Sequence, residues 1–141
     1  MTVNIKRIDK SLPLPVYHTK GSVGFDFYAR EEIKVAPNQT ALVPLNIIME
    51  VPKGYLLSLV PRSSTPKKGI MIPNSPGTID QDYHGEEDEL RLWVYNFTKK
   101  KVVVEKGERI CQGLLIKVGI AKFKEVKKMK NKSRGGFGTT G

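Results

Sequence analysis

The chain has 141 residues, 24 Lys and Arg against 14 Asp and Glu, a formal net charge of +10 and one cysteine, Cys111. That length suits one domain with its own hydrophobic core, a lone cysteine excludes an intramolecular disulfide, and no apolar run approaches the roughly 20 residues of a membrane span. The positive balance points to an anionic partner, either nucleic acid or a small polyphosphate.

The first ten residues, MTVNIKRIDK, lack the apolar core of a secretory leader, so the expectation is a soluble, cytoplasmic protein (host-cell cytoplasm or nucleus for a viral chain). Val3-Asn4-Ile5 begins a first strand, and Leu12-Pro13-Leu14-Pro15 reads as an extended linker or edge. Alternation then places Phe25, Phe27 and Ala29 on one face, with Asp26 and Tyr28 on the other. Ile33 and Val35 alternate before a turn at Pro37-Asn38. A long strand runs through Ala41, Val43, Leu45, Ile47 and Met49. Pro52-Lys53-Gly54 is read as the turn of a hairpin with the strand Tyr55 to Val60. Thr65 is the expected cap of a short helical turn, with Pro66 at its first position. Further strands are expected at Leu90 to Phe97, Val102 to Val104, Arg109 to Val118 and Ile120 to Val126. Lys99-Lys100-Lys101 forms a solvated hairpin turn, and a second lysine cluster spans Lys122 to Lys132. Many short strands, regular turns and no sustained helical period indicate an all-β sandwich or barrel.

Candidate chemistry gathers in a few loops. Pro76-Gly77 turns into Thr78-Ile79-Asp80-Gln81-Asp82-Tyr83-His84-Gly85, which carries two carboxylates on one side of an extended segment and an aromatic ring. One carboxylate can serve as a general base for water while the other orients it or helps a metal. Arg62-Ser63-Ser64 at a strand end supplies a guanidinium fork and hydroxyl donors for phosphate oxygens. Asn74 has an amide able to read a base edge, and Asp26 can hold a substrate hydroxyl, a metal-bound water or simply solvent. Cys111 reads as a small buried apolar side chain. The only histidines, His18 and His84, have no metal-ligand spacing with a cysteine. Walker A, dinucleotide and G-x-S-x-G signatures are absent.

In chain order these stretches resemble the five motifs of the trimeric all-β dUTP diphosphatases (dUTPases): Val23-Gly24-Phe25-Asp26-Phe27, Pro61-Arg62-Ser63-Ser64, Asn74 through Gly85, Gly107-Glu108-Arg109-Ile110-Cys111-Gln112, and Gly135 through Gly141. The resemblance implies a distorted jelly-roll or β-clip barrel over residues 1–132. Residues 133–141 would be a flexible glycine-rich arm closing over the active site. It implies hydrolysis of dUTP to dUMP and pyrophosphate, which keeps uracil out of DNA and supplies dUMP for thymidylate synthesis. It also implies a homotrimer with shared sites, no membrane partner and no nucleic-acid partner.

By the same resemblance Asp80 is the base for water attacking the α-phosphorus, and Tyr83 lies beneath the deoxyribose. Asn74 reads uracil along with the backbone of Gly77 and Ile79. Arg62, Ser63, Ser64 and Gln112 lie on the phosphate side, and Asp26 reaches Mg2+ through water. Phe137 caps uracil, and Gly138, Thr139 and Thr140 wrap the γ-phosphate with a cation. Where the family places an arginine five residues before the aromatic, this chain has Lys132, and Arg134 lies three before it. Glu86-Glu87-Asp88-Glu89 lengthens the third motif and reads as a solvated acidic bulge. A related fold, the dCTP deaminases, needs a glutamate three residues before Asn96, where this chain has Trp93. A non-enzymatic nucleotide or nucleic-acid binder would use the lysines between 122 and 132 instead.

Overall fold

The computed structural model describes residues 1–138. Among the described residues eleven strands follow one another. They are β1 (Ile5–Arg7), β2 (Phe25–Tyr28), β3 (Ile33–Val35), β4 (Thr40–Pro44), β5 (Ile47–Met49), β6 (Tyr55–Pro61), β7 (Ile70–Met71), β8 (Gly77–Ile79), β9 (Arg91–Asn96), β10 (Val102–Val104) and β11 (Arg109–Lys117). A 3₁₀ turn, Thr65–Lys68, separates β6 from β7. The strands form four antiparallel groups, ordered β1-β5, β3-β10, β2-β11-β6-β8 and β4-β9-β7. Phe27, Leu45, Leu57, Ile70, Val94 and Val104 are among the side chains that meet in the core between them. β9 shows why a strand forms there: Leu92, Val94 and Asn96 face inward while Arg91 and Trp93 face out. No helix among the described residues is long and apolar enough to cross a membrane.

Four expectations about strands and their pairing need correction. The long strand through Ala41 and Met49 breaks at Asn46, which takes φ 68° and turns the chain between β4 and β5. Its amide holds that bend, donating to Asp9 O at 2.9 Å and accepting from Asp9 N at 2.6 Å. The turn at Pro52-Gly54 exists, with Tyr55 N donating to Pro52 O at 3.0 Å, but the strands it joins do not pair. β5 takes β1, and β6 takes β11 and β8. The same holds at Lys99-Lys101: β9 pairs with β4 and β7, while β10 pairs with β3. There Asn96 is wholly buried and pins the turn by donating to Val35 O and Lys100 O. Finally, Ile120 to Val126 is no strand and lies exposed, because it has no neighbouring strand among the described residues.

The helical turn is shifted as well. Ser64 sits at its cap without a side-chain hydrogen bond, and Thr65 is its first residue. Thr65 Oγ1 instead accepts from Arg62 N at 2.9 Å, which ties the turn back to the end of β6.

Candidate active site

The central sheet places the candidate residues. In its register Asp26 on β2, Gln112 on β11 and Val60 on β6 form one row, and Phe27, Cys111 and Pro61 form the next. Arg62 leaves the end of β6 just beyond that row. The strand β11 bears Gly113 where a Cβ would come within 2.6 Å of Phe27 and 2.7 Å of Phe25 ring atoms, so glycine lets β2 lie flat against it.

Asp26 does not face solvent, as one expectation allowed, and alternation does not separate it from the core. Only 1% of its surface is exposed. Its Oδ1 accepts from Arg62 Nε at 3.1 Å, and its Oδ2 accepts from Arg109 Nη1 at 3.3 Å. His18 Nε2 lies 3.0 Å from the same Oδ2 and 3.2 Å from Arg109 Nη1. A buried carboxylate is stable only with such partners. Arg62 Nη1 donates onward to Ser64 Oγ at 3.2 Å and to Arg109 O at 3.3 Å. Beside these residues opens a cleft of about 300 Å3 whose walls include Ser64, Lys68 and Arg109. Two guanidiniums held by one carboxylate, with serine hydroxyls next to them, suit the oxygens of a polyphosphate. Ser63 is exposed beside Ser64, and the Gln112 side chain lies against Gly24.

Arg109 and His18 were not singled out from the sequence. Arg109 lies within the stretch Gly107 to Gln112, and only the register of β11 against β2 brings it to Asp26 alongside Arg62. His18 reaches the site because Val16 bridges to Asp26 ahead of β2, a contact without a sequence signature. Cys111 is wholly buried, and that burial, followed by the charge of Asp26, pushes its thiol far up, so it stays an inert core side chain.

The second group sits elsewhere on the sheet. The expected turn at Pro76-Gly77 falls earlier: Ser75 N donates to Ile72 O at 3.2 Å around Pro73 and Asn74, and Gly77 already begins β8. β8 is an edge strand among the described residues, paired only with β6 through Ile79↔Leu57 and Gly77↔Leu59. Its outer edge therefore presents backbone N–H and C=O groups. Asp80 and Asp82 do not share the side of a strand. The chain turns at Gln81 and Asp82, and Tyr83 N donates to Asp80 O at 3.4 Å. Asp80 is exposed and pairs with no cation among the described residues. Tyr83 is 39% exposed, with its hydroxyl donating to Glu89 O at 3.4 Å.

The acidic stretch that follows is not a uniformly solvated bulge. Glu86 pairs with Lys6, and Asp88 Oδ2 accepts from Gly85 N at 2.7 Å. Glu89 is buried, accepting from Arg30 Nε at 2.8 Å, Arg30 Nη2 at 3.1 Å and Asn46 N at 2.9 Å. It is a structural anchor for the β4–β5 bend, and its hydrogen bond holds the Arg30 guanidinium even further above its ordinary range.

The two groups do not meet within one chain. Ile79 is level with Leu57, five residues before Arg62 on β6, and five residues of strand span roughly 16 Å. Asp80 lies one residue further from Arg62 still. Lys132, Arg134, Phe137 and Gly138 are exposed at the C-terminal end, with Phe137 fully so, while Thr139 and Thr140 lie outside the described residues. Among the described residues no group of three or more His, Cys, Asp or Glu is placed to enclose a metal ion. Asp26, with both oxygens already engaged by cations, fits a metal held chiefly by phosphates and water rather than an all-protein cage.

The sequence profile of the dUTPase family matches residues 10–141. A deoxyuridine 5'-triphosphate nucleotidohydrolase of Hydrogenobaculum sp. is 39% identical, with 100% of this chain and 99% of the relative covered. The solved dUTPase of Streptococcus mutans is 29% identical with a TM-score of 0.77, covering 84% of this chain and 98% of that one. The dUTPase of phage phi11 of S. aureus, solved in a variant form that describes a structural Mg(II) ion, shares the fold at a TM-score of 0.83 and 18% identity, covering 93% and 100%.

Proposed function

This chain belongs to the dUTPase family and hydrolyses dUTP to dUMP; from that premise we propose that its active site is completed between copies of the chain. The observation that carries the proposal is the separation of Asp80 and Tyr83 from the Asp26–Arg62–Arg109 cluster along the central sheet. One copy supplies the β8 edge and its turn. The next supplies the guanidiniums and Gln112. A rotation that repeats this head-to-tail contact closes into a ring, and a homotrimer gives three equal sites.

At such a site Asn74 and the outer backbone of Gly77 and Ile79 read the uracil edge, and the Tyr83 ring supports the deoxyribose and leaves no room for a 2′-hydroxyl. Asp80 takes a proton from water as that water's oxygen bonds to the α-phosphorus. The bond from the α-phosphorus to its bridging oxygen breaks, and pyrophosphate leaves. Arg62, Ser63, Ser64 and Gln112 bind the developing charge on the leaving group, and Asp26 keeps the guanidiniums in place for it. Asp26 would hold Mg2+ through water, and the ion would supply neutralisation of the phosphate charge. Phe137 covers the uracil, and Lys132 or Arg134 with Gly138, Thr139 and Thr140 enclose the γ-phosphate. Acting in the cytoplasm, the enzyme keeps uracil out of DNA and supplies dUMP for thymidylate synthesis.

Mixing inactive variants tests the shared site. Asp80→Asn and Arg62→Ala each abolish release of pyrophosphate from dUTP. Co-assembled from denatured mixtures, they regain activity, because some sites then combine an intact β8 turn with an intact guanidinium. If every mixture stays inactive while size measurements show mixed assemblies, each site lies within one chain.

A further inference from the structure

We propose that His18 is a positioning residue for the leaving phosphates: it satisfies Asp26 Oδ2, so that Arg109 can turn its guanidinium from that carboxylate to the substrate. The inference rests on the reading that the Asp26–Arg62–Arg109 cluster takes the phosphate end of dUTP.

The chain holds His18 in place from both sides. Before it, Val16 bridges to Asp26, and Asp26 N donates to Val16 O at 3.2 Å. The Tyr17 ring packs edge to face on Phe25, with centroids 5.3 Å apart. After it a turn closes, with Ser22 N donating to Thr19 O at 3.1 Å and Thr19 N donating to Ser22 Oγ at 3.1 Å. A side chain on so fixed a backbone loses little further freedom when it bonds.

Three atoms decide what the ring does. Nε2 lies 3.0 Å from Asp26 Oδ2, Arg109 Nη1 lies 3.3 Å from the same oxygen, and the two nitrogens are 3.2 Å apart. If Nε2 carried no hydrogen, its lone pair would face a carboxylate oxygen at 3.0 Å, acceptor against acceptor, on a side chain only 2% exposed. Nε2 therefore carries the hydrogen and donates to Oδ2, which a neutral ring does without any charge of its own. The contact with Arg109 is then donor against donor. Two donors crowd one oxygen, and the imidazole holds it more closely.

The two guanidiniums differ in freedom. Arg62 gives Nε to Asp26 Oδ1 at 3.1 Å and Nη1 to Ser64 Oγ and Arg109 O. Among the described residues the Arg109 side chain has only its contacts with Asp26 and His18. Arg62 is fixed, and Arg109 is the cation able to turn toward an arriving phosphate oxygen. Without His18 that turn would leave a buried carboxylate oxygen without a donor, which is costly. With His18, Asp26 keeps a donor on each oxygen throughout. Its charge keeps the guanidinium close while Arg109 Nη1 faces the phosphates that leave as pyrophosphate.

Steady-state kinetics on the full-length protein tests this. His18→Ala should raise KM for dUTP about tenfold, the weight of one hydrogen bond to a charged group, and keep kcat within about twofold. The product dUMP lacks the leaving phosphates, so its inhibition constant should not change. His18→Gln offers Oδ2 an amide N–H and should restore most of the parent's KM. Arg109→Gln should raise KM like His18→Ala, and the double variant should go no higher, because one effect passes through the other. The inference is overturned if His18→Ala keeps the parent's KM while Arg62→Ala abolishes pyrophosphate release; the phosphate site then stands without it. It fails equally if dUMP inhibition weakens as much as KM rises, if glutamine does not rescue, or if the two substitutions multiply. An active Arg62→Ala removes the underlying reading and this inference together.

Discussion

Arg62 Nε donates to Asp26 Oδ1 at 3.1 Å, and that contact joins the end of β6 to β2 across the intervening strand β11. The carboxylate thereby ties β2 to the end of β6 and holds the guanidinium that the proposed site turns toward phosphate. It is buried, and its other oxygen accepts from Arg109. Asp26→Ala should leave two guanidiniums without their counter-charge and lower the unfolding free energy by about 3 kcal/mol. It should also raise KM for dUTP, since neither arginine is then aimed. Urea unfolding at neutral pH, alongside initial rates, reads both effects; a variant as stable as the parent would mean the cluster does not clamp the sheet.

Gly113→Ala tests the packing under the site. A Cβ there would stand 2.6 Å from one Phe27 ring carbon and 2.7 Å from one of Phe25. Both rings are held in the core, and they meet edge to face with centroids 5.4 Å apart. β11 must therefore move off β2, which costs about 1–3 kcal/mol. Since Gln112 is the adjacent residue, activity should fall beyond what the lost stability explains. A melting temperature equal to that of the parent would show that the rings give way freely.

Legibility of the sequence divides along a physical line. Local alternation was enough to locate β9, which buries the period-two set Leu92, Val94 and Asn96, while β2, β10 and β11 were visible as short apolar stretches although their burial does not alternate. Pairing was not legible. Pro52-Lys53-Gly54 looks like a hairpin turn, yet β6 finds its partners in β8 and β11, which lie far along the chain. Asn46 hid its bend within an apolar alternation, because the bend depends on Asp9 and Glu89, both remote in sequence. The site divides similarly. Asp26 and Arg62 were visible as chemical types, but their mutual bond and the part taken by Arg109 and His18 depend on strand register. The family resemblance covered nearly the whole chain, and the dUTPase profile matches residues 10–141, so the activity was legible before the geometry.

Asp9 contributes to the response to acid. Lys106 Nζ lies 2.6 Å from its Oδ2, while Ser11 N and Oγ donate to Oδ1 at 2.8 and 2.6 Å. These bonds, that to Lys106 first, hold its carboxyl far below the usual carboxylate range. A carboxylate with a depressed folded pKa stabilises the fold above its unfolded value of roughly 4, and that contribution disappears as pH falls below it. Stability should decline from about pH 4 downward, and Asp9→Asn should be less stable at neutral pH with a flatter acid limb. Urea midpoints measured from neutral pH down through that range decide it. Parallel acid limbs for parent and variant would place the response on other carboxylates.

The C-terminal arm is tested by removing residues 134–141. Phe137 is fully exposed, so the fold draws no core packing from that ring. The last barrel strand ends at Lys117, well before the cut. The shortened chain should therefore unfold at the same urea concentration as the parent. A site open to water, however, loses the ring over the base and the donors around the terminal phosphate. Removing even one preorganised donor from a reacting site costs about 100-fold or more in kcat, so turnover of dUTP should fall at least that far. The full arm added as a separate peptide should restore little, because covalent attachment supplies its effective concentration. Turnover equal to that of the intact chain would take the arm out of the active site and leave the phosphate end to Arg62, Arg109 and the serines alone.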